Sequence, residues 1–306
     1  MESNKIANYI RIAKQIVRKN SFAACESTWT RDKQLGCKIY IVGGYVRDKI
    51  LKVKSIDLDF VVEPSFCEQR WDKENGLKVA EIFHKELGGK LTVYKKFLTA
   101  SLKLENDFTI DIATARTEKY PKPASMPIVQ LAKLKKDLYR RDFTINAMAL
   151  PIHSSRFAIH DVIDICGGLS DIKNKQIRVL HENSFTDDPT RIMRAIRYAV
   201  RFRFTIEKNT EMWMMDAIKK NLLSLVSMPR IRDEFIKTLD EKNAKKILVE
   251  FKKRRILKYI DGKLDISAIS QNKELVKTRL EKLIKNFSDE QKKIFLQKLC
   301  LPSPVK

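Results

Sequence analysis

The chain has 306 residues, 43% hydrophobic and 32% charged, with a formal net charge of +23 and an isoelectric point near 9.8. That length can hold two or three domains with real cores, and the composition is that of a soluble globular protein, which excludes fibrous, disordered and membrane-embedded classes. The surplus of lysine and arginine runs along the whole chain and fits a polyanionic partner; a lysine-rich genome adding solvated surface charge gives the same composition. The five cysteines are odd in number and widely spaced, and neither C-x-x-C nor H-x-x-x-H occurs. This argues against a disulfide framework or a zinc site and fits a reducing compartment. No apolar run reaches membrane-spanning length and no signal peptide with an apolar centre is visible. The basic N-terminus reads weakly as a transit sequence, and Glu2 argues against it.

In chain order, the spacing of Ile10, Ala13, Ile16 and Val17 predicts a helix over 7–17, followed by a polar loop over 21–36. Residues 39–42 form a β-branched run that reads as a buried strand. Gly43-Gly44 stops it, allowing a tight turn and close approach of a ligand to bare N–H groups. Residues 46–52 have helical spacing and carry Arg47. From Ile56 the period drops to two: Ile56, Leu58 and Phe60 share one face, Asp57 and Asp59 the other. Two carboxylates at i and i+2 lie roughly 7 Å apart at Cα. That spacing suits one or two hard divalent cations, which can activate an attacking hydroxyl and neutralise a triphosphate leaving group. A half-buried strand showing its polar face to water has the same pattern. The Gly-Gly turn and Arg47 just upstream favour the metal reading, because they set donors for phosphate beside the carboxylates.

Residues 75–87 predict a helix closed by Gly88-Gly89, and 90–94, 99–104 and 108–113 predict three short strands, the last two joined by a turn at 105–107. Asp111 is either a third metal ligand or a plain surface aspartate. Residues 120–134, with three prolines and no clear period, read as a mobile loop. In Arg140-Arg141-Asp142-Phe-Thr-Ile-Asn146, an arginine fork suits phosphate or ribose; Asp142 can orient it and Asn146 can donate and accept in the same pocket. The alternative is Asp142 as the N-cap of a helix starting at Phe143, with both arginines solvated. Gly167-Gly168 makes a turn, with Asp171 as a cap or brace. Asp188 as N-cap and Pro189 at the first position start a further helix, along which Arg191, Arg194, Arg197 and Arg201 line one broad face. Like charges in a stripe repel, and a bound anion or acidic partners elsewhere would relieve them. Another helix starts near Pro229. Beyond Lys237 the chain is helical in pattern and lysine-rich, either a phosphate-binding body or solvated surface.

These stretches also carry a resemblance. Gly43-Gly44-x-x-Arg47-Asp48 with Asp57-x-Asp59, then Arg140-Arg141-Asp142-Phe-Thr-Ile-Asn146-Ala-Met-Ala, then Ile159 to Arg178 around Gly167-Gly168, then Asp187-Asp188-x-x-Arg191-x-x-Arg194-x-x-Arg197, and finally the stretch from Ser227 to Glu234, resemble in order the motifs of the class II (bacterial-type) tRNA nucleotidyltransferases and their poly(A) polymerase relatives. The resemblance implies an α+β fold: a polymerase β-like head with a mixed sheet, followed by an all-α neck and body. The implied divisions are an N-terminal helical extension (1–36), head (37–150), neck (151–236) and body (237–306). It implies Mg²⁺ on Asp57 and Asp59, with Asp111 as a third catalytic carboxylate. Nucleotide contacts would fall on Gly43, Gly44, Arg47, Arg141, Asp142, Asn146, Asp187, Asp188, Arg191, Arg194 and Arg197. Asp188 and Arg191 would read the base, and Arg194 and Arg197 would hold phosphates. The family's usual Glu-Asp pair is here Asp187-Asp188. The implied activity is addition of C, A or both from CTP and ATP to the tRNA 3′ end. CC-only or A-only addition, poly(A) synthesis, and a non-catalytic RNA-binding protein on the same fold are the alternatives. Neither a membrane nor a protein partner is implied, and the setting is cytoplasm or an organelle matrix.

Overall fold

The computed structural model describes residues 2–19, 37–55, 57–64, 75–104, 108–152, 158–270, 274–299 and 301; the loop expected at 21–36 and the turn at 105–107 lie outside them. The chain forms two compact units, 1–119 with 127–172 and 120–126 with 173–306.

The first unit runs α1 (Glu2–Lys19), β1 (Cys37–Val42), α2 (Gly44–Ile50), β2 (Asp57–Pro64), α3 (Asn75–Leu87), β3 (Lys90–Tyr94), β4 (Thr99–Lys103), β5 (Thr109–Thr114), β6 (Arg116–Lys119), β7 (Ile128–Leu131), α4 (Leu134–Tyr139), β8 (Ala149–Pro151) and α5 (Gly168–Lys173). Six strands make one mixed sheet in the order β3-β4-β5-β2-β1-β8, in which β2 and β5 are parallel and the other pairs antiparallel. Strand alternation decides the two faces. Leu58, Phe60, Leu102, Ile110 and Ile112 are buried, and α3 packs on the sheet through Leu77, Ala80 and Phe83. Phe60 and Phe83 meet edge to face at 5.4 Å, and each buried ring contributes roughly 2–3 kcal/mol. The opposite face carries the aspartates.

Two expectations differ from this structure. The stretch 120–134 is not periodless throughout: β6 and β7 pair as an antiparallel hairpin from Arg116↔Leu131 to Lys119↔Ile128, and α4 starts at Leu134. The prolines fall in the turn and at the strand edge, where no ladder N–H is needed. The helix considered from Phe143 is only a 3₁₀ turn over Thr144–Asn146, which leads into β8 on the edge of β1.

The second unit is mainly helical: β9 (Gln176–Ile177), α6 (Ser184–Asp187), α7 (Thr190–Phe202), β10 (Thr205–Ile206), α8 (Lys208–Lys219), α9 (Met228–Asp240), α10 (Ala244–Lys253), α11 (Val276–Leu283) and α12 (Asp289–Lys298). The apolar side of α7, with Ile192, Met193 and Ile196 buried, packs on α9 and α10. The Glu207 side chain caps α8 by accepting from the N–H groups of Asn209 and Thr210, and Ser288 with Gln291 forms a capping box on α12. The fully buried Arg279 donates to the carbonyl oxygens of Leu239 and Glu241, closing the C-terminal end of α9 where orphan carbonyls gather. Among the described residues, no helix is long and apolar enough to cross a membrane.

Candidate active site

Parallel pairing of β2 with β5 sets Asp59 directly beside Asp111, with Asp57 two residues upstream on the same face. The Gly-Gly turn at the end of β1 stands against them. Gly43 has φ +70°, and a Cβ there would lie 2.9 Å from Asp59 Oδ2 and 3.3 Å from Arg141 Nη1. A Cβ on Gly44 would lie 3.6 Å from Asp57 Oδ1 and 3.5 Å from Arg47 Nη2. Bare backbone is therefore what leaves space between the carboxylates and the turn. Burial, with repulsion from Asp57 and Asp111, pushes the Asp59 carboxyl up to about 7, against the pull of Arg141 and Arg47. Asp111 is also raised, by burial first and by Asp57 as well, and a hydrogen bond with Ser101 moderates the shift. A hard cation held by two of these carboxylates would ease the repulsion. Among the described residues, no group of three or more His, Cys, Asp and Glu side chains could hold a metal ion. The protein thus offers part of a coordination shell that substrate oxygens and water would complete.

The arginine motif is organised by a residue outside the predicted set. Asp137 is fully buried; its Oδ1 accepts from Arg140 Nε and Nη2 and from the backbone N–H of Arg116, and its Oδ2 accepts from Arg141 Nη2 at 3.0 Å. Burial opposes its charge, but Arg140 and Arg141 hold the carboxyl below the usual range. Arg140 turns instead to Glu118, at 2.9 Å. Arg141 keeps a buried Nε without a hydrogen-bond partner and lines a cavity of about 380 Å³ together with Asp59, Asp111, Ser101 and Tyr94. An orphaned buried donor beside a group of carboxylates is the mark of a site made for a ligand. Asp142 accepts from Phe143 N–H and Asn146 Nδ2, so it braces the 3₁₀ turn. Arg47, only 4% exposed, donates to Asp48 and, at 2.6 Å, to Asn146 Oδ1, so it ties α2 to that turn. Asp171 accepts from Thr144 Oγ1 at 2.6 Å, the brace expected for it.

The remaining predicted residues lie in the second unit. Asp188 Oδ1 takes three donors: Thr190 N–H, Thr190 Oγ1 and Arg230 Nη2 at 2.8 Å. Arg230 donates its other terminal nitrogen to the Ala124 carbonyl oxygen, and Ala124 N–H donates to Thr186. The Asp188 carboxylate is thereby pinned, with Oδ2 left as the acceptor it presents. Arg191 is buried and donates to Ser184 Oγ at 2.6 Å. Asp187 is half-buried, 4.0 Å from His181, whose imidazole is pushed down by burial and by Arg191. The arginine stripe finds acidic partners: Glu234 lies 2.7 Å from Arg197 and 3.4 Å from Arg194, and Glu241 lies 3.4 Å from Arg201. Burial opposes the Glu234 charge, but Arg194, Arg197 and Lys237 hold its carboxyl below the usual range. Acidic partners rather than an anion thus supply part of the relief the stripe needs. Arg230 and Glu234 were legible only as members of a helix start; their pairings are long-range. Asp137 did carry a signal, since it precedes Arg140 and Arg141 by three and four residues, the spacing of ion pairs on a helix.

A mixed sheet bearing paired aspartates beside a glycine turn, followed by a helical region, is the polymerase β-like nucleotidyltransferase head with a helical C-terminal part. A family model described as the poly(A) polymerase head domain matches residues 39–178, and one described as the probable RNA- and SrmB-binding site of polymerase A matches 203–261. The A-adding tRNA nucleotidyltransferase of Aquifex aeolicus is 40% identical over 223 residues, which are 73% of this chain and 26% of that protein. The CCA-adding enzyme of Lactobacillus helveticus is 34% identical over 215 residues, 66% of this chain and 46% of that protein. Among solved structures, an apo CCA-adding enzyme superposes with a TM-score of 0.69 at 34% identity, over 97% of this chain and 68% of that one. The Thermotoga maritima CCA-adding enzyme complexed with tRNA-CCA gives 0.67 at 33%, over 97% and 67%. The chain belongs to the class II tRNA nucleotidyltransferase and poly(A) polymerase family. It spans about a quarter of the length of the A-adding relative from Aquifex.

Proposed function

We propose that this chain is a template-independent nucleotidyltransferase that adds A, C or both to the 3′ end of tRNA. The single observation that carries the reading is the set Asp57, Asp59 and Asp111 on one sheet face, against the Gly43-Gly44 turn and Arg141. In the reaction, the tRNA 3′ oxygen attacks the α-phosphorus of CTP or ATP, the bond to the bridging oxygen breaks, and pyrophosphate leaves with its electron pair. Asp111, its carboxyl raised by burial and placed beside Asp59, takes the proton from the 3′ oxygen. Asp57 and Asp59 would hold Mg²⁺, which supplies charge neutralisation and makes the hydroxyl more acidic. Arg141 donates to the phosphates, with Asp137 fixing its guanidinium; Gly43 and Gly44 present N–H groups to the same anion. Arg47, Asp142 and Asn146 keep the floor of that site rigid. Asp188 Oδ2 accepts from the exocyclic amino group that cytosine and adenine share, Arg191 donates to the same base edge, and Asp187 flanks them. Arg194 and Arg197 are the candidates for triphosphate contact, Arg194 being the more exposed and Arg197 buried against Glu234.

Addition of A alone is a second reading, favoured by the 40% identity to the A-adding relative against 34% to the CCA-adding one. Labelled CTP and ATP, offered with tRNA ending at the discriminator base, at CC, or complete, separate the cases. Label from ATP only on the CC end supports A addition; label from both supports CCA addition; long A tails would indicate poly(A) synthesis. No label with any pair leaves a binding protein and refutes the reading. A cytoplasmic or organelle-matrix setting follows from a tRNA substrate.

A further inference from the structure

The aspartates occupy only part of their sheet face. Directly opposed residues on neighbouring strands share a face. Register places Ser101 on β4 opposite Asp111, and Thr92 on β3 opposite Ser101. One rung along, Thr99 opposes Ala113 and Tyr94 opposes Thr99; in the other direction Lys103 and Lys90 oppose each other. The middle of this surface is floored by small and hydroxyl side chains. Its far margin on β3 holds Tyr94, 50% exposed, and the exposed Lys90, with the exposed Lys103 opposite Lys90 on β4. The cavity that contains Asp59, Asp111 and Arg141 continues to Ser101, Thr99 and Tyr94. Asp111 to β3 is two strand spacings, roughly 10 Å.

We propose that this face, from Asp111 across β4 to Tyr94 and Lys90 on β3, is the track for the single-stranded 3′ end of the acceptor RNA. The proposal rests on the nucleotidyl-transfer reading of the aspartates and adds where the acceptor lies. An exposed aromatic ring at one end of β3 and lysines at the other, about 13 Å along the strand, flank a shallow floor; in sequence-tolerant single-strand recognition rings stack bases and ammonium groups meet phosphates. Lysines that only guard a sheet edge would serve by their position on the edge strand, but Lys103 lies on the inner strand β4 and shares its face with the carboxylates. The hydroxyl to be activated then arrives at Asp111, at the inner end of the track.

The test uses the full chain and a 5′-fluorescein single-stranded RNA ending in CC, read by anisotropy. Tyr94→Ala and the double variant Lys90→Glu/Lys103→Glu should each weaken binding roughly tenfold, the scale of one lost stacking contact. Tyr94→Phe should bind as the parent does, because its ring is kept. The urea midpoint should be unchanged in all of them, and CTP and ATP affinities unchanged in Lys90→Glu/Lys103→Glu. A 4-thiouridine two nucleotides before the 3′ end should crosslink to the peptide spanning 90–103. Parental affinity in both loss variants, or crosslinks confined to other peptides, would overturn the proposal. Nucleotide incorporation by the parent is scored separately: normal incorporation with Tyr94-independent binding sinks the track alone, and absent incorporation with Tyr94-dependent binding sinks the transfer reading.

Discussion

Replacing Asp59 by Asn should make the metal-free protein more stable while removing its activity. The folded protein holds the Asp59 carboxyl near 7 against an ordinary value of 3.8, because burial and the charges of Asp57 and Asp111 outweigh Arg141 and Arg47. A group with a raised folded pKa favours the folded state below its unfolded pKa, and that advantage is lost as pH rises through the folded value. The full difference corresponds to about 4 kcal/mol above pH 7. Asp59 is partly exposed, and Asn also gives up the attraction of two arginines, so about 1–2 kcal/mol is the expected gain after screening. For a unit of this size that is roughly 3–6 °C in midpoint. Thermal unfolding in EDTA at pH 5 and pH 8 measures it. The variant should exceed the parent most at pH 8 and by clearly less at pH 5, and Mg²⁺ should close the gap at pH 8 by stabilising the parent only. No gain at pH 8, or a gain independent of pH, would refute the electrostatic reasoning.

Asp137→Asn leaves Arg141 without its buried counter-charge and Arg140 with Glu118 alone; a loss of about 3–5 kcal/mol is expected in urea unfolding, shrinking at acid pH as the parent's Asp137 is itself protonated. Gly43→Ala places a methyl against Asp59 Oδ2 at φ +70°, which should cost about 1–2 kcal/mol and lower kcat for nucleotide addition far more than it lowers the unfolding midpoint. Arg230→Ala frees Asp188 from one of its donors: KM for the nucleotide should rise roughly tenfold, for a lost interaction of about 1.4 kcal/mol, with discrimination against UTP and GTP weakened in competition assays. Arg230→Lys should not restore it, because an ammonium does not match the fork that reaches both Asp188 and Ala124.

Much of the head was legible from local pattern. Period-two alternation over 57–62 and the β-branched run at 39–42 gave the central strands, and α3 runs over the predicted Asn75–Leu87 because its apolar spacing and the Gly88-Gly89 stop agree. The strand order and the register that sets Asp59 beside Asp111 are non-local, and no window of sequence contains them. The hairpin at 116–131 was hidden by prolines, which suppress a strand reading although they sit outside the ladder. The arginines of α7 read correctly as a stripe, but Glu234, forty residues beyond Arg194, had no local signature as their partner. Asp142 had two readings, and its bonds to Phe143 and Asn146 show the local bracing that short polar side chains favour.

The most direct measurement is incorporation of labelled ATP into tRNA ending in CC, at saturating Mg²⁺, by the parent, Asp57→Ala and Asp59→Ala, with tRNA binding followed in parallel. We expect addition by the parent, loss of at least a thousandfold in both variants if the carboxylates carry the chemical step, roughly 4 kcal/mol of transition-state stabilisation, and tRNA affinity within a factor of two or so of the parent's. Addition at a normal rate by Asp59→Ala would contradict the assignment of the catalytic centre.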